Sequence, residues 1–299
     1  MISYLAHEQI DKSLWDDCVS HAVNGLVYAM SWYLDIVHPK WEALVQVSDG
    51  KYQTIMPLTS KRKYLVPYLC QPFFAQQLGV FSRLPINEET LVSFLQAIPK
   101  KFLLVEIRLN EWNPLPNGYK GIDFHQNHLL NLSEDYECLS SKYHENTKRN
   151  LKKALKYDLR VVSLNDLTQV IDLFRHDRGA EVLHWGGPEY ARLASLSNAA
   201  ISSSNAFIKG IQFSDNKEII CGAIFMKYQN RITFLFSGNS PLGKSCQAMT
   251  FLLDSVIAEH AGQPLYLDFE GSDDPNLARY YLGFGSQKVL YPSFTYHWI

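Results

Sequence analysis

Three apolar runs at residues 206–213, 219–228 and 231–236 are parted only by Asp215-Asn216 and Gln229-Asn230, and nothing else in the chain constrains its fold as strongly. Turn residues between runs of strand length specify an antiparallel meander. A helix follows, because Met249, Leu252, Leu253, Val256 and Ile257 recur at the spacing of one helical face. A strand at 265–269, a short helix at 276–282 and a last strand at 289–298 complete an α+β order.

The first half has a comparable order. A short strand at 2–5 and a helix at 12–19 precede alternating runs at 41–47 and 52–58. Between those runs lies Ser48-Asp49-Gly50-Lys51, and Asp-Gly in that place signals a hairpin. A Pro-punctuated aromatic stretch, a helix at 88–97 and a strand at 102–109 follow. A chain of 299 residues with 46% apolar content suffices for two cores, so two domains are expected, 1–140 and 141–299. Duplication of one unit rests on element order alone, since no residue-level repeat exists.

Charge marks the junction. Residues 1–140 hold 11 basic and 15 acidic groups, 141–160 hold 7 and 2, and 161–299 hold 10 and 13, giving −4, +5 and −3. The basic segment 142–160 lacks Pro and Gly and reads as a helix, with Lys148, Lys152 and Lys156 in one stripe. A solvated helix face is the plainer reading of that stripe. With only 19% charged residues and a net charge of −2, the whole chain reads as neither disordered nor a globally basic nucleic-acid binder. No run approaches the roughly 18 apolar residues of a membrane helix. The acidic N-terminus lacks the pattern of a secretory signal, which points to the cytoplasm. Five cysteines without a CxxC pair read as reduced thiols, with neither disulfide nor structural zinc expected.

Gly238-Asn-Ser-Pro-Leu-Gly-Lys-Ser245 satisfies the phosphate-loop pattern between a strand and a helix. Only 54 residues follow it, too few for the parallel sheet such a loop opens, and Pro241 removes an amide the loop would use. A strand-to-helix turn with glycine still offers amides to a pyrophosphate. Further on, Tyr266, Asp268 and Glu270 share one side of a strand, with Glu270 at its end, where a carboxylate can face a cleft. Tyr281, among Tyr280, Leu282 and Phe284, reads first as packing.

The basic helix HENTKRNLKKALKYDLRV, the strand-turn-helix FLFSGNSPLGKSCQAMTFLL and the closing FEGSDDPNLARYYLGFGS together resemble a GNAT N-acetyltransferase domain. Within that superfamily they look most like the tandem-GNAT group around the FemAB aminoacyltransferases. Asn276, Ala278, Tyr281 and Gly285 fall where GNAT proteins carry these residue types near the final helix. The resemblance implies two tandem GNAT-like domains, each a mixed, mostly antiparallel sheet flanked by helices. It implies acyl or aminoacyl transfer from a thioester, acyl-CoA and acetyl-CoA above all, to a small-molecule or peptide amine, without a metal. Donor-binding candidates are then Phe236, Ser237, Gly238, Gly243, Lys244, Ser245, Gln247 and Asn276. Glu270, or His184, becomes the base and Tyr281 the acid. His184, Trp185, Gln76 and Arg149 are candidates for the acceptor side, in a cleft between the domains. The loop only approximates the Q/R-x-x-G-x-G/A pyrophosphate pattern, and no run is long enough for the helical hairpin of some FemAB enzymes.

Alternative readings remain. His125 and His128 sit in an ordinary strand approach rather than a metal site. Gln71 and Gln76 would serve a cleft or simply satisfy backbone groups at a sheet edge. A non-catalytic GNAT-like module would bind an acidic partner through 142–160, and the same helix would receive an acyl carrier protein or tRNA in an enzyme.

Overall fold

The computed structural model describes residues 1–177, 179, 185–271 and 273–297. It divides the chain into Met1–His125 with Leu290–Ile299, and Gln126–Val289. The first unit therefore ends at 125 rather than 140 and takes back the C-terminal strand. Hydrogen bonding is the reason: residues after 125 already pair within the second sheet, ahead of the charge change that marks the sequence.

The first unit contains β1 (Ile2–Leu5), α1 (Lys12–His21), α2 (Ser31–Val37), β2 (Glu42–Ser48), β3 (Lys51–Leu58), β4 (Ser60–Lys63), β5 (Val66–Cys70), β6 (Phe81–Ser82), α3 (Glu88–Gln96) and β7 (Leu104–Arg108). Strands β1, β2, β3 and β6 form an antiparallel sheet in that order. The Asp49-Gly50 hairpin is present, both residues left-handed at φ 52° and 71°, as a tight hairpin turn requires. A second hairpin, β4–β5, escaped the sequence reading. Its turn is Tyr64-Leu65, also left-handed, and neither residue type announces such a turn. Buried asparagines secure the region around β6: Asn24, Asn110 and Asn113 each donate to the Val80 carbonyl at 2.9–3.0 Å.

The second unit begins within β8 (Ile122–Asn131). It continues through α4 (Tyr136–Ser141), α5 (Glu145–Ala154), β9 (Leu159–Leu164), α6 (Thr168–His176), α7 (Gly187–Ser202), β10 (Ala206–Phe213), β11 (Cys221–Tyr228) and β12 (Arg231–Asn239). Then come α8 (Pro241–Ser245), α9 (Ala248–His260), β13 (Tyr266–Asp268) and α10 (Pro275–Leu282), and β14 (Gln287–His297) leads back into the first unit. The sheet order is β8-β13-β12-β11-β10-β9, antiparallel except between β12 and β13. The expected meander is β10–β12. The basic segment is shorter as a helix than the sequence indicated: α5 ends at Ala154, and Lys156 lies in the turn beyond it.

Both faces of this sheet are covered, which is why β11 is buried without alternation from Cys221 to Met226. On one face Cys221, Ala223 and Phe225 join Leu252, Leu253, Val256 and Ile257 of α9 in the core. On the other, Gly222 and Gly238 sit opposite each other in register and admit α6. A Cβ on Gly238 would lie 2.3 Å from the Val170 carbonyl, and one on Gly222 2.7 Å from a Val170 methyl. The helix backbone thus rests directly on β12, carrying Phe174 and Asp177 to the strand's far end. All five cysteines are free thiols. Among the described residues no helix is long and apolar enough to cross a membrane.

Candidate active site

Strands β12 and β13 run parallel for only three residue pairs, Arg231↔Tyr266, Ile232↔Leu267 and Thr233↔Asp268. Beyond Thr233 they part, and, among the described residues, 234–239 of β12 have strand partners on the β11 side alone. Leu235 is skipped in that pairing, a bulge between Ile224 and Phe225 that bends the strand where it becomes free. A cleft of about 550 Å³ opens in the gap. Its walls are β12 from Phe234 to Asn239, the start of α9 and the segment Phe269-Glu270-Gly271 with α10.

The fork is fixed by a buried ion pair. Arg231 Nη1 donates to Asp268 Oδ2 at 2.7 Å, and Asp268 Oδ1 accepts the Glu270 amide at 2.8 Å. The second contact bends the chain sharply: Glu270 and Gly271 both take left-handed conformations, φ 54° and 49°. Position 271 must be glycine, because a Cβ there would lie 2.2 Å from the Gln126 carbonyl. Strained backbone of this kind concentrates at functional sites. Gln247, another cleft residue, is also left-handed at φ 63° and begins α9 without a side-chain cap.

Half of the candidate residues meet here. Phe236, Ser237, Gly238, Lys244, Gln247, Glu270 and Tyr281 all line the cleft. Tyr281 is 6% exposed and stacks on Phe269, ring centroids 4.9 Å apart. Trp185 stacks on Phe236 at 5.9 Å and 17°, backing the wall. Other candidates lie elsewhere. Gly243 is buried beneath the turn, where a Cβ would lie 2.5 Å from the Ile220 carbonyl, and Ser245 bonds the Leu242 carbonyl. Asn276 is exposed and accepts from Arg279. Arg149 lies exposed on α5, bonded to Asn146. Gln76 belongs to the first unit, where it accepts from Gln77 Nε2 at 2.9 Å. Gln71 there satisfies backbone, accepting the Arg108 amide and donating to the Ala75 carbonyl. His184 lies outside the described residues.

The phosphate-loop match dissolves in the structure. Residues 238–239 finish β12 and 241–245 form the short α8. The Gly243 amide donates to Ser240 Oγ at 3.0 Å and the Lys244 amide to the Ser240 carbonyl at 2.9 Å, so these donors are already used. Lys244 Nζ pairs with the Asp177 carboxylate at 2.6 Å.

Sequence reasoning missed Asp177, Phe174, Asn239, Met249, Thr250, Phe269, Leu277 and Tyr280 in this lining. Most are aromatic or aliphatic, indistinguishable in sequence from core. Thr250 Oγ1 lies 3.3 Å from the Tyr280 hydroxyl, whose pKa burial pushes up. Behind the wall, His128 is buried with its ring 6.0 Å from Tyr281, and neither ring nitrogen has a hydrogen-bond partner among the described residues. Burial lowers its pKa, helped by Lys288 and opposed by Asp268. Among the described residues no three His, Cys, Asp or Glu side chains group to hold a metal.

Comparison with known proteins bears on the fold. No model of a known protein family matches the chain, and no curated protein matches it in sequence. Solved structures do match in shape. The chain is similar to FemX at 11% identity, covering 97% of this chain and 96% of that one, with a TM-score of 0.66. It is similar to a tandem GNAT protein from the clavulanic acid biosynthesis pathway at 9% identity, covering 99% and 98%, with a TM-score of 0.55. The C-terminal domain of a candidate lysylphosphatidylglycerol synthetase from Agrobacterium fabrum is similar at 11% identity, covering 95% and 90%, with a TM-score of 0.56. The fold is therefore the FemAB-like tandem GNAT fold, the α+β class that the sequence motifs implied.

Proposed function

We propose that this protein is an N-acyltransferase that moves an acyl or aminoacyl group from a thioester, with acyl-CoA and in particular acetyl-CoA as the simplest donor, to an amine. The observation that carries this reading is the parting of β12 and β13 beyond Thr233 and Asp268. It leaves, among the described residues, a strand edge with no strand beside it on that side, next to a carboxylate and a phenol, in a cleft walled by aromatic rings. The fold's likeness to FemX and to a tandem GNAT protein supports it.

In this reading the donor's acyl chain lies along residues 234–238, whose backbone N–H groups receive the thioester oxygen as charge develops on it. Glu270 takes a proton from the acceptor's ammonium, directly or through one water, and so frees the amine that attacks. The amine nitrogen bonds to the carbonyl carbon, the C–S bond breaks, the Tyr281 hydroxyl protonates the leaving thiolate, and the surplus proton on the new amide nitrogen restores the Tyr281 hydroxyl. Lys244 and the first turn of α9 are the groups placed to meet a donor phosphate. Asp177 already neutralises Lys244, so this cationic provision is small. The acceptor is a small-molecule or peptide amine, and the cytoplasm is where the donor is met.

The test is a thiol-release assay with acetyl-CoA and a panel of primary amines, run on the wild type and on Glu270→Gln. Amine-dependent release that Glu270→Gln abolishes supports the reading. Release independent of any amine, or undiminished in the variant, overturns this assignment of roles.

A further inference from the structure

The strongest positive charge in the chain lies outside the cleft. Helix α5 and the turn after it expose Lys152, Lys153 and Lys156, none of which has an ion-pair partner among the described residues. Beside them is a groove of about 460 Å³ formed with α4. Its floor is Tyr136, Tyr143, Leu151 and Leu155, its rim Lys148 and Lys152, and Glu137 is its one carboxylate. Leu155 is 65% exposed and lines the groove.

Two contacts tie this surface to the cleft. Thr147 of α5 lies against Gly283, directly after α10, and α5 packs on α9. Both α9 and α10 line the cleft. Lys153 is near enough to Cys246, between α8 and α9, to bear on that thiol electrostatically. The cleft itself is poor in available cation, for its charged lining is Asp177, Lys244 and Glu270, and Lys244 is held by Asp177.

We propose that the α4–α5 groove docks an acidic, helical acyl carrier protein, which presents the acyl group as a thioester on a flexible arm reaching into the cleft. This rests on the acyltransferase reading. Lysines around an apolar floor fit an amphipathic helix that offers one apolar side chain ringed by carboxylates. A nucleic-acid backbone has no use for Leu151 and Leu155, whereas a protein helix buries them. The anionic charge of the donor is thereby met on α5 and not in the cleft.

Binding of a purified, acylated acyl carrier protein of fatty-acid synthesis to the full-length protein tests this, with a bulk tRNA preparation as the competing probe. Expected are saturable carrier binding that weakens with salt and a loss of about tenfold in Lys148→Glu/Lys152→Glu/Lys153→Glu. Leu155→Ser should weaken the carrier and leave tRNA unaffected. Retained thermal melts in both variants show that folding is intact, and the salt dependence is read on the wild type. Absence of carrier binding, insensitivity to all these substitutions, or binding of tRNA alone overturns the proposal. Transfer to an amine is then compared between acyl carrier and acetyl-CoA: the charge reversal should lower the first rate about tenfold more than the second. Lysine-dependent carrier binding without transfer from either donor supports the docking site and defeats the acyltransferase reading instead.

Discussion

Arg231 and Asp268 form a buried ion pair across the short β12–β13 ladder, Arg231 in its first register pair and Asp268 in its last, Nη1 to Oδ2 at 2.7 Å. The same carboxylate accepts the Glu270 amide, so one side chain both closes the ladder and turns the chain into the cleft. Asp268→Leu leaves a buried guanidinium without this partner and should destabilise the protein by about 3 kcal/mol in urea unfolding. Arg231→Met/Asp268→Leu together should recover much of that loss, and a double variant no more stable than the single one would refute the pairing as the cause.

Tyr281→Phe keeps the ring stacked on Phe269 and removes only the hydroxyl. We expect kcat to fall by about a hundredfold, with KM for the donor and the Tm nearly unchanged. An equal fall in donor affinity would make the residue a binding group rather than an acid.

Gly238→Ala places a methyl group 2.3 Å from the Val170 carbonyl and 2.8 Å from Leu173 Cβ. Helix α6 must then lift from β12, with an expected loss of about 2 kcal/mol. Because α6 carries Phe174 and Asp177 into the cleft, donor binding should weaken in the same variant, measured by calorimetry at a temperature where the fold persists.

Tyr136 and Tyr143 both donate to Asp254 at 2.9 and 3.0 Å. Burial and the carboxylate push the Tyr136 pKa up to about 12, and that of Tyr143 rises as well. A folded pKa above the unfolded value of about 10 gives stability that is whole below pH 10 and is lost as pH climbs toward 12. Tyr136→Phe should flatten this alkaline fall in Tm between pH 10 and 12. An unchanged slope would show that the tyrosine does not titrate with folding.

His128 has the opposite sign. Its folded pKa lies below the ordinary histidine value, so its contribution is whole above about pH 6.5 and is lost as pH falls below it. His128→Phe removes two buried nitrogens that lack partners and should raise stability by about 1 kcal/mol at pH 5. The gain should shrink by pH 8, which a pair of denaturation curves would show.

What the sequence by itself determined is local and periodic. The β10–β12 meander, α9, the Asp49-Gly50 hairpin and the charge step at α5 all follow from spacing or turn chemistry that neighbouring residues carry. Glu270 at a strand end and the turn from Gly238 to Lys244 also stand out in the sequence, whereas Phe236, Gln247 and Tyr281 entered as site candidates only through the resemblance. Tertiary structure decided the rest. Nothing in the sequence says that β12 and β13 part after three pairs, since that depends on Asp268 meeting Arg231, 37 residues away. Nor does it show that Gly243 is consumed by packing while Asp177 reaches Lys244. The domain boundary moved for the same reason. The limits of each unit depend on hydrogen-bond partners distant in sequence, and composition changes only where a surface changes.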